Sequence, residues 1–398
     1  MRFRYSAEES GRPVKKAAVY TKNEHRIKFT DVDSQAVYIT EKLQASGYET
    51  YIVGGAVRDL MLGKVPKDFD IATDASPARI KKIFRNSRII GRRFRLVHVY
   101  FGPKIIEVST FRSLKDGPTS NTFGTIEEDV QRRDFTLNAL FYDPVKELVV
   151  DYVGGMKDIH KRLVRPIIAL SEIFTDDPVR MIRAVKYSAL TGFKLPFSLK
   201  MRIRKQSSLL AGVSPSRLTE EILKIINSPC VSEIVESLDS LGLYRYLQPE
   251  AAELFKTRSL FKADYLRTLS DLNRKSTDSL PGEALAALIK DYLEDTVDWD
   301  GKQSTGFAGE GSHHTLTERY KHTFVLARKF VLPMNPPRVE LDNALQLLFA
   351  RHGISLKKLR HHEYHEASPE TAEPDTKTAV NKRRYRKRRR TGAPGAVL

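Results

Sequence analysis

The sequence predicts an α+β protein, with a sheet and covering helices in its first ~150 residues and helices alone after Asp176. Before residue 153, runs rich in β-branched and aromatic residues alternate with runs of helical spacing. After Asp176, apolar residues recur at helical period, as in 179–189. Both ends are polar, so we expect a flexible segment over 1–31 and a disordered tail over 366–398.

Turn and capping residues place the elements of the first part. Gly47 follows a run of helical spacing and would end that helix. Ser76 and Pro77 are preferred at a helix N-cap and first position, respectively. Gly102 and Pro103 divide two β-rich runs, which indicates a hairpin. In chain order we predict helix 33–45, strand 48–53, helix 57–62, strand 69–72, helix 77–84, strands 96–101 and 105–111, loop 115–122, helix 126–140 and strand 148–153.

Composition narrows the class of protein. A chain of 398 residues suits two or three domains. No apolar run reaches the roughly 18 residues of a membrane span, and residues 1–10 lack the apolar core of a signal peptide. Cys230 is the only cysteine, which excludes intrachain disulfides and Cys-based zinc sites. We therefore expect a cytoplasmic protein without membrane insertion.

The net charge of +18 comes from 67 basic and 49 acidic residues, and much of it lies near the end of the chain. Without the eight cations of 382–390 the charge is still about +10 (18 − 8). Such a block repels itself and binds polyanions through counterion release, so it predicts a tail that binds nucleic acid. A solubilising tail is the alternative. The eight cations are Lys382, Arg383, Arg384, Arg386, Lys387, Arg388, Arg389 and Arg390.

The most specific chemical pattern joins a glycine pair to an aspartate pair. Gly54 and Gly55 separate a predicted strand from a helix, where backbone N–H groups can bind phosphate, and Arg58 could bind phosphate or ribose oxygens. Asp68 and Asp70 are spaced so that both carboxylates face one side of a strand. Adjacent carboxylates repel unless a cation joins them, so we predict that this pair holds two Mg²⁺ ions. An ordinary turn and a solvated aspartate pair are the structural alternatives.

Two further acids could complete the catalytic carboxylate set. Glu107 is the only acid in a largely apolar strand, and an acid so placed needs a partner. We favour Glu107 for metal or proton handling, unless a nearby cation merely satisfies it. Arg133 and Asp134 are assigned to the sugar and phosphates, although Asp134 stays a candidate for the catalytic set. The structural alternative is an ion pair in which Asp134 orients Arg133.

A helix start supplies the last candidates. Asp177 before Pro178 makes a sound N-cap, which is a complete structural explanation. The functional interpretation is that Asp177 and Arg180, three residues apart, meet on one helix face. Side chains of these types can satisfy the Watson–Crick edge of a base. Spacing alone favours the structural explanation.

Five motifs occur in the order of the class II tRNA nucleotidyltransferase and bacterial poly(A) polymerase family, which the chain resembles over about residues 35–245: Gly54-Gly55 with Arg58, Asp68-Phe69-Asp70, 132–136, 176–183 and 217–221. The resemblance implies a polymerase-β-like nucleotidyltransferase head with a mixed five-stranded sheet, followed by all-α neck and body domains. We expect the head over 32–165, the neck over 166–245, the body over 246–365 and the tail over 366–398.

The resemblance also implies site roles. Asp68 and Asp70 would bind Mg²⁺, while Asp177 and Arg180 would read the base without a nucleic-acid template. Asp176 stands where the family usually has Glu, which keeps the charge. The rest of the nucleotide site would comprise Gly54, Gly55, Arg58, Arg133, Asp134 and Asn138.

Two activities share this family: CCA addition to tRNA and poly(A) addition to RNA. Segment 90–99 and the arginine-rich C-terminus resemble the poly(A) branch. His313-His314 is followed by Thr315, so the His-Asp dyad of an attached phosphohydrolase is missing. We predict a monomeric enzyme that uses ATP as substrate to extend RNA 3′ ends. CCA addition and a non-catalytic RNA-binding protein that kept the fold are the alternatives.

Overall fold

The structure, a computed structural model, describes residues 2–7, 13–91, 95–113, 122–275, 281–299 and 316–356. The described residues up to Ile354 belong to one unit, and a second unit begins at Ser355. Several predictions fall outside the described residues. They are the whole tail over 366–398 with its basic block, nearly all of the loop over 115–122, His313-His314 and the middle of segment 90–99.

One nine-stranded sheet organises the described head, with the strand order β1-β2-β9-β8-β3-β4-β7-β6-β5. All neighbouring pairs are antiparallel except β4 and β7, which are parallel, so the predicted mixed sheet is confirmed. The predicted number of five strands is wrong, because the sheet also contains β1 and β2 at one edge, β5 at the other edge and β8 between β9 and β3. The strands are β1 (Arg2–Ala7), β2 (Pro13–Thr21), β3 (Thr50–Val53), β4 (Asp70–Thr73), β5 (Ser87–Ile90), β6 (Leu96–Phe101), β7 (Lys104–Thr110), β8 (Leu140–Asp143) and β9 (Leu148–Asp151).

The N-terminal segment corrects the prediction of a flexible stretch over 1–31. β1 pairs with β2, and β2 pairs with β9 in a register that places Ala18 opposite Asp151. Ala17, Ala18 and Val19 are buried against the rest of the head. The sequence did not reveal β2 as part of this sheet because its partner β9 lies more than 100 residues away, where no local pattern records the pairing.

Helices cover the sheet largely where the sequence predicts them. Asp33 caps α2, since its Oδ1 accepts from the N–H groups of Gln35 at 2.9 Å and Ala36 at 3.0 Å. Ser76 stands at the N-cap of α4, but its side chain makes no capping hydrogen bond, unlike the prediction. The head helices are α1 (Lys22–His25), α2 (Ser34–Ala45), α3 (Gly55–Met61), α4 (Pro77–Ile83), α5 (Ile126–Arg132) and α6 (Gly155–Lys161), with 3-10 turns at Phe29–Asp31 and Thr136–Asn138.

The predicted helix over 126–140 is wrong beyond Arg132. Arg133 is extended (φ −68°, ψ 157°), and a 3-10 turn then leads into β8. Phe135 and Phe141 are fully buried in this stretch. Burial of these rings in the head therefore overrides the local helical period.

The part after Asp176 is helical, as predicted, and no described residue beyond β9 belongs to a strand. Among the described helices, none combines the length and apolar character needed to cross a lipid bilayer. These helices are α7 (Ile173–Asp176), α8 (Val179–Thr191), α9 (Phe197–Gln206), α10 (Pro215–Ile226), α11 (Val231–Ser240), α12 (Tyr244–Leu247), α13 (Pro249–Thr257), α14 (Ser259–Lys275), α15 (Pro281–Thr296), α16 (Leu316–Phe330) and α17 (Arg338–Arg351), with a 3-10 turn at Ser207–Gly212.

Candidate active site

A cavity of about 1290 Å³ lies between the sheet and the first helices of the helical part. The turn from β3 to α3 and the strands β4 and β7 form one wall, and α7, α8 and α10 form the other. Arginines and acids line it in equal number, so their formal charges cancel. They are Arg58, Arg112, Arg132, Arg133, Arg180, Arg183 and Arg217, and Asp70, Glu107, Asp129, Asp134, Glu172, Asp176 and Asp177.

The glycine turn lies close to one acidic and one basic side chain, those of Asp70 and Arg133. Gly54 has φ +73°, a left-handed conformation that side chains disfavour. A Cβ atom added at Gly54 would lie 3.9 Å from Asp70 Oδ2 and 4.0 Å from Arg133 Nη1. Gly54, Gly55 and Asp70 all line the cavity.

Asp70 begins β4 and stands beside Glu107 in the parallel register of β4 and β7. Loss of bulk water in the cavity and the carboxylates of Glu107 and Asp68 together raise the pKa of Asp70 to about 6, although Arg133 opposes them. Asp68 is exposed just before β4 and is not among the described residues that line the cavity. The structure thus places Asp70 and Glu107 side by side and Asp68 at the edge of this acidic cluster.

The acidic cluster fits Mg²⁺ by its donor chemistry. In the described part of the chain, no three His, Cys, Asp or Glu side chains converge closely enough to form a metal site alone. Mg²⁺ commonly takes only one or two protein carboxylates and completes its shell with water and substrate phosphates. Besides the loss of bulk water, the carboxylates of Glu107 and Asp68 raise the pKa of Asp70, and a bound cation would offset their repulsion.

Arg58 and Asn138 form one unit in the cavity wall. The Arg58 guanidinium is buried, donating from Nη1 to Asn138 Oδ1 at 2.8 Å and from Nε to Asp59 Oδ1 at 2.8 Å. Its guanidinium carbon lies 5.4 Å from the centre of the Tyr187 ring. Arg58 is therefore held in place before any ligand arrives.

Arg133 and Asp134 have separate partners, so the suggestion that Asp134 orients Arg133 is wrong. Arg133 Nη2 lies 2.9 Å from Asp129 Oδ2, and Nη1 donates to the Asn138 carbonyl at 3.1 Å. Asp134 Oδ1 accepts from the Phe135 N–H at 2.7 Å. Asp134 lines the cavity, but the carboxylate in register with Asp70 is Glu107.

Asp177 and Arg180 line the same cavity without meeting, which corrects the predicted pairing. Arg180 is buried; its Nη1 pairs with the Asp176 carboxylate and its Nη2 donates to the Arg132 carbonyl at 3.2 Å. Both Asp177 oxygens accept from Arg217 Nη2, at 3.0 and 2.9 Å. Asp177 is extended (φ −148°, ψ 102°) and α8 begins at Val179, so helical i,i+3 spacing does not apply.

Sequence reasoning missed the ion pairs that join α8 to α10. Buried Glu221 accepts from Lys186 Nζ at 2.8 Å and from Arg183 Nε at 3.1 Å. Burial alone would raise the pKa of Glu221, but Lys186 and Arg183 hold it below its ordinary value. Glu221 and Arg217 belong to motif 217–221, to which the sequence assigns no side-chain role. The place of this motif in the family's order is the only sequence feature that points to these ion pairs.

Comparisons with known proteins agree with this architecture. Residues 50–165 match the family model described as "Poly A polymerase head domain", and residues 192–255 match "Probable RNA and SrmB- binding site of polymerase A". Poly(A) polymerase I of Escherichia coli is 42% identical over 253 residues, which cover 60% of this chain and 54% of that protein. A CCA-adding enzyme of Geobacillus kaustophilus is 38% identical over 231 residues, covering 56% and 57% respectively. The chain thus spans about half the length of the curated relatives it matches.

A solved structure extends the likeness across both parts of the fold. The CCA-adding enzyme of Bacillus stearothermophilus, in complex with CTP, superposes with a TM-score of 0.59 at 30% identity. The superposition covers 80% of this chain and 70% of that one. From the matching head model, the sequence relatives and this shared architecture, the chain belongs to the poly(A) polymerase and CCA-adding enzyme family of nucleotidyltransferases.

Proposed function

We propose that this chain is a template-independent poly(A) polymerase that adds AMP from ATP to RNA 3′ ends and releases pyrophosphate. The observation that carries the proposal is the register of Asp70 beside Glu107, next to the Gly54 turn, in a cavity whose opposite wall carries arginines. Relatives named poly(A) polymerase I support the choice of ATP. They match at 38 to 42% identity over 253 to 268 residues, against 36 to 40% over 219 to 231 residues for the CCA-adding relatives.

At the sheet end, the residues would position the reacting groups. The Gly54–Gly55 turn, Arg58 and Arg133 would bind the triphosphate, and Asp68 and Asp70 would hold Mg²⁺. Bound Mg²⁺ supplies positive charge that favours the ionised 3′-hydroxyl and the departing pyrophosphate. The RNA 3′-oxygen attacks the α-phosphorus in line, the bond to pyrophosphate breaks, and Glu107 accepts the hydroxyl proton.

At the helical end, Asp177 and Arg180 would read adenine. A carboxylate offers about four acceptor positions, so Asp177 can hold Arg217 and still accept from the adenine amino group. Arg180 has five N–H donors, and only some are engaged by Asp176, Ile173 and Arg132. Both residues can therefore present a fixed donor and acceptor to the base edge.

Nucleotide specificity distinguishes poly(A) addition from CCA addition. The test is needed because the chain is also similar to CCA-adding enzymes. The protein is incubated with a generic RNA oligonucleotide, and separately with tRNA lacking its 3′ end, in the presence of each nucleoside triphosphate singly. We expect repeated AMP incorporation on both RNAs and little use of CTP. Efficient CTP incorporation on the tRNA would favour CCA addition. A protein that incorporates nothing on any RNA with Mg²⁺ would be a non-catalytic RNA-binding relative.

We also propose that the eight cations of 382–390 bind RNA phosphates, alongside the matched RNA-binding region over 192–255. Deleting 382–398 should weaken RNA affinity and reduce the slope of log affinity against log salt by up to about 0.7 for each lost phosphate contact. ATP affinity, measured in parallel, is the control and should change little. An unchanged salt slope would mean that the tail only solubilises the protein.

A further inference from the structure

A row of polar side chains crosses the sheet towards the acidic cluster. Arg88 of β5 pairs with His98 of β6, His98 pairs with Glu107 of β7, and Glu107 pairs with Asp70 of β4. Residues paired directly across strands place their side chains on the same face. The row therefore leads from the edge of the sheet to Asp70, through His98 and Glu107.

Within this row, His98 Nε2 lies 3.2 Å from Glu107 Oε1. The Glu107 side chain is 48% exposed, whereas the His98 side chain is only 20% exposed. The His98 ring also meets the Tyr100 ring edge-to-face, with 6.4 Å between ring centres. An exposed carboxylate is thus paired with a ring that is largely buried.

We propose that His98 is the positioning residue for Glu107: its ring N–H holds Glu107 Oε1 and leaves Oε2 free beside Asp70. This inference rests on the proposed function, in which Glu107 acts next to Asp70. A glutamate without this tie would lose side-chain entropy each time it adopted the productive rotamer. His98 itself touches neither substrate nor reacting atoms.

Two substitutions separate the polar contact between His98 and Glu107 from general packing. His98→Leu removes the donor and should lower kcat for AMP incorporation by about 10- to 100-fold, the usual cost of losing a partner that orients a ligand residue. KM for ATP should change little. His98→Gln keeps an N–H donor and should recover most of the activity. Tyr100→Leu, the matched control, removes the ring contact but leaves the His98–Glu107 pair, and its kcat should stay within about twofold.

A double-mutant cycle with Glu107→Ala tests whether His98 acts through Glu107. Adding His98→Leu to Glu107→Ala should cause little further loss of kcat, because the group to be positioned is already gone. Thermal unfolding of the metal-free proteins gives a readout besides activity. His98→Leu should lower the midpoint in the wild-type background more than in the Glu107→Ala background.

Three outcomes would overturn the role of His98 while the wild type is active: normal kcat for His98→Leu, no rescue by His98→Gln, or multiplicative losses in the double variant. Equal changes in thermal midpoint in both backgrounds would show that the two side chains do not interact, and would overturn it as well. A wild-type protein that incorporates no AMP on any RNA would instead overturn the proposed function, and the positioning role with it.

Discussion

Acidic side chains have opposite electrostatic surroundings at the two ends of the cavity. At the sheet end, loss of bulk water and the neighbouring carboxylates of Glu107 and Asp68 raise the pKa of Asp70 to about 6. At the helical end, Asp176 pairs with Arg180 and Asp177 pairs with Arg217. One end has an excess of negative charge, and the other is neutralised by its own side chains.

This difference separates two tasks. Crowded carboxylates make the sheet end favourable for a cation and its phosphate ligands. Paired charges make the helical end rigid, because each side chain is held by a partner before a ligand binds. Glu221, which Lys186 and Arg183 keep ionised, fixes α10 against α8 behind that end. The chemistry and the selection of the base are therefore expected to respond differently to mutation.

The largest expected effect concerns the sheet end. Asp70→Asn should reduce AMP incorporation by about 10³-fold, since it removes several kcal/mol of charge stabilisation. Incorporation of labelled ATP into an RNA oligonucleotide measures it, while circular dichroism follows the fold. Asp74→Asn, an exposed acid just beyond the far end of β4, is the control and should stay active. Normal turnover by Asp70→Asn would remove the carboxylate cluster from the reaction.

Glu221→Gln tests the helical end and should act on stability. It leaves Lys186 and Arg183 without their shared carboxylate, so the free energy of unfolding should fall by about 3 kcal/mol. Glu220→Gln is a matched control, because Glu220 is 64% exposed and pairs with Lys224 at the surface. Its effect should stay below about 0.5 kcal/mol in the same denaturant titration. Similar effects of the two changes would mean that the buried network does not stabilise this end.

Asp177→Asn tests selection of the base. It weakens the hold on Arg217 and removes the charged acceptor, so the preference for ATP over CTP should fall about tenfold. The ratio of kcat/KM values for the two nucleotides measures this preference. Arg217→Met should reduce the same ratio by a similar amount, because it removes the other half of the pair. An unchanged ratio in both variants would place base selection elsewhere.

The smallest expected effect is the pH dependence of Asp70. Its folded pKa of about 6 exceeds the ordinary 3.8, so the folded protein binds this proton more tightly than the unfolded chain does. Asp70 therefore lowers the free energy of unfolding as pH rises from about 4 to 6, and the loss is complete above that range.

Solvent in the cavity screens this charge, so metal-free Asp70→Asn should exceed the wild type by only about 1 kcal/mol at neutral pH. The gap should close near pH 4, as denaturant titrations with a chelator would show. A stability difference between Asp70→Asn and the wild type that grows as the pH falls would contradict this prediction.

Local signals predicted much of the fold. The helix α2 and the hairpin of β6 and β7 follow from apolar spacing and from turn residues such as Gly102 and Pro103. β2 was missed because it pairs with β9, which lies far away in the chain, and β1 was missed because it joins the sheet only through β2. The predicted helix over 126–140 failed beyond Arg132, since burial of Phe135 in the head overrode its helical period.

By itself, the sequence determined which chemical groups are present and in what order: a glycine turn, an aspartate pair, an acid on a strand and a helix start with its acids and arginines. Only the tertiary structure decided which groups meet. Glu107 lies beside Asp70, Arg180 pairs with Asp176, and Asp177 pairs with Arg217. Hydrogen bonds and ion pairs act over about 3 to 4 Å, and the packing of elements far apart in the chain sets those distances.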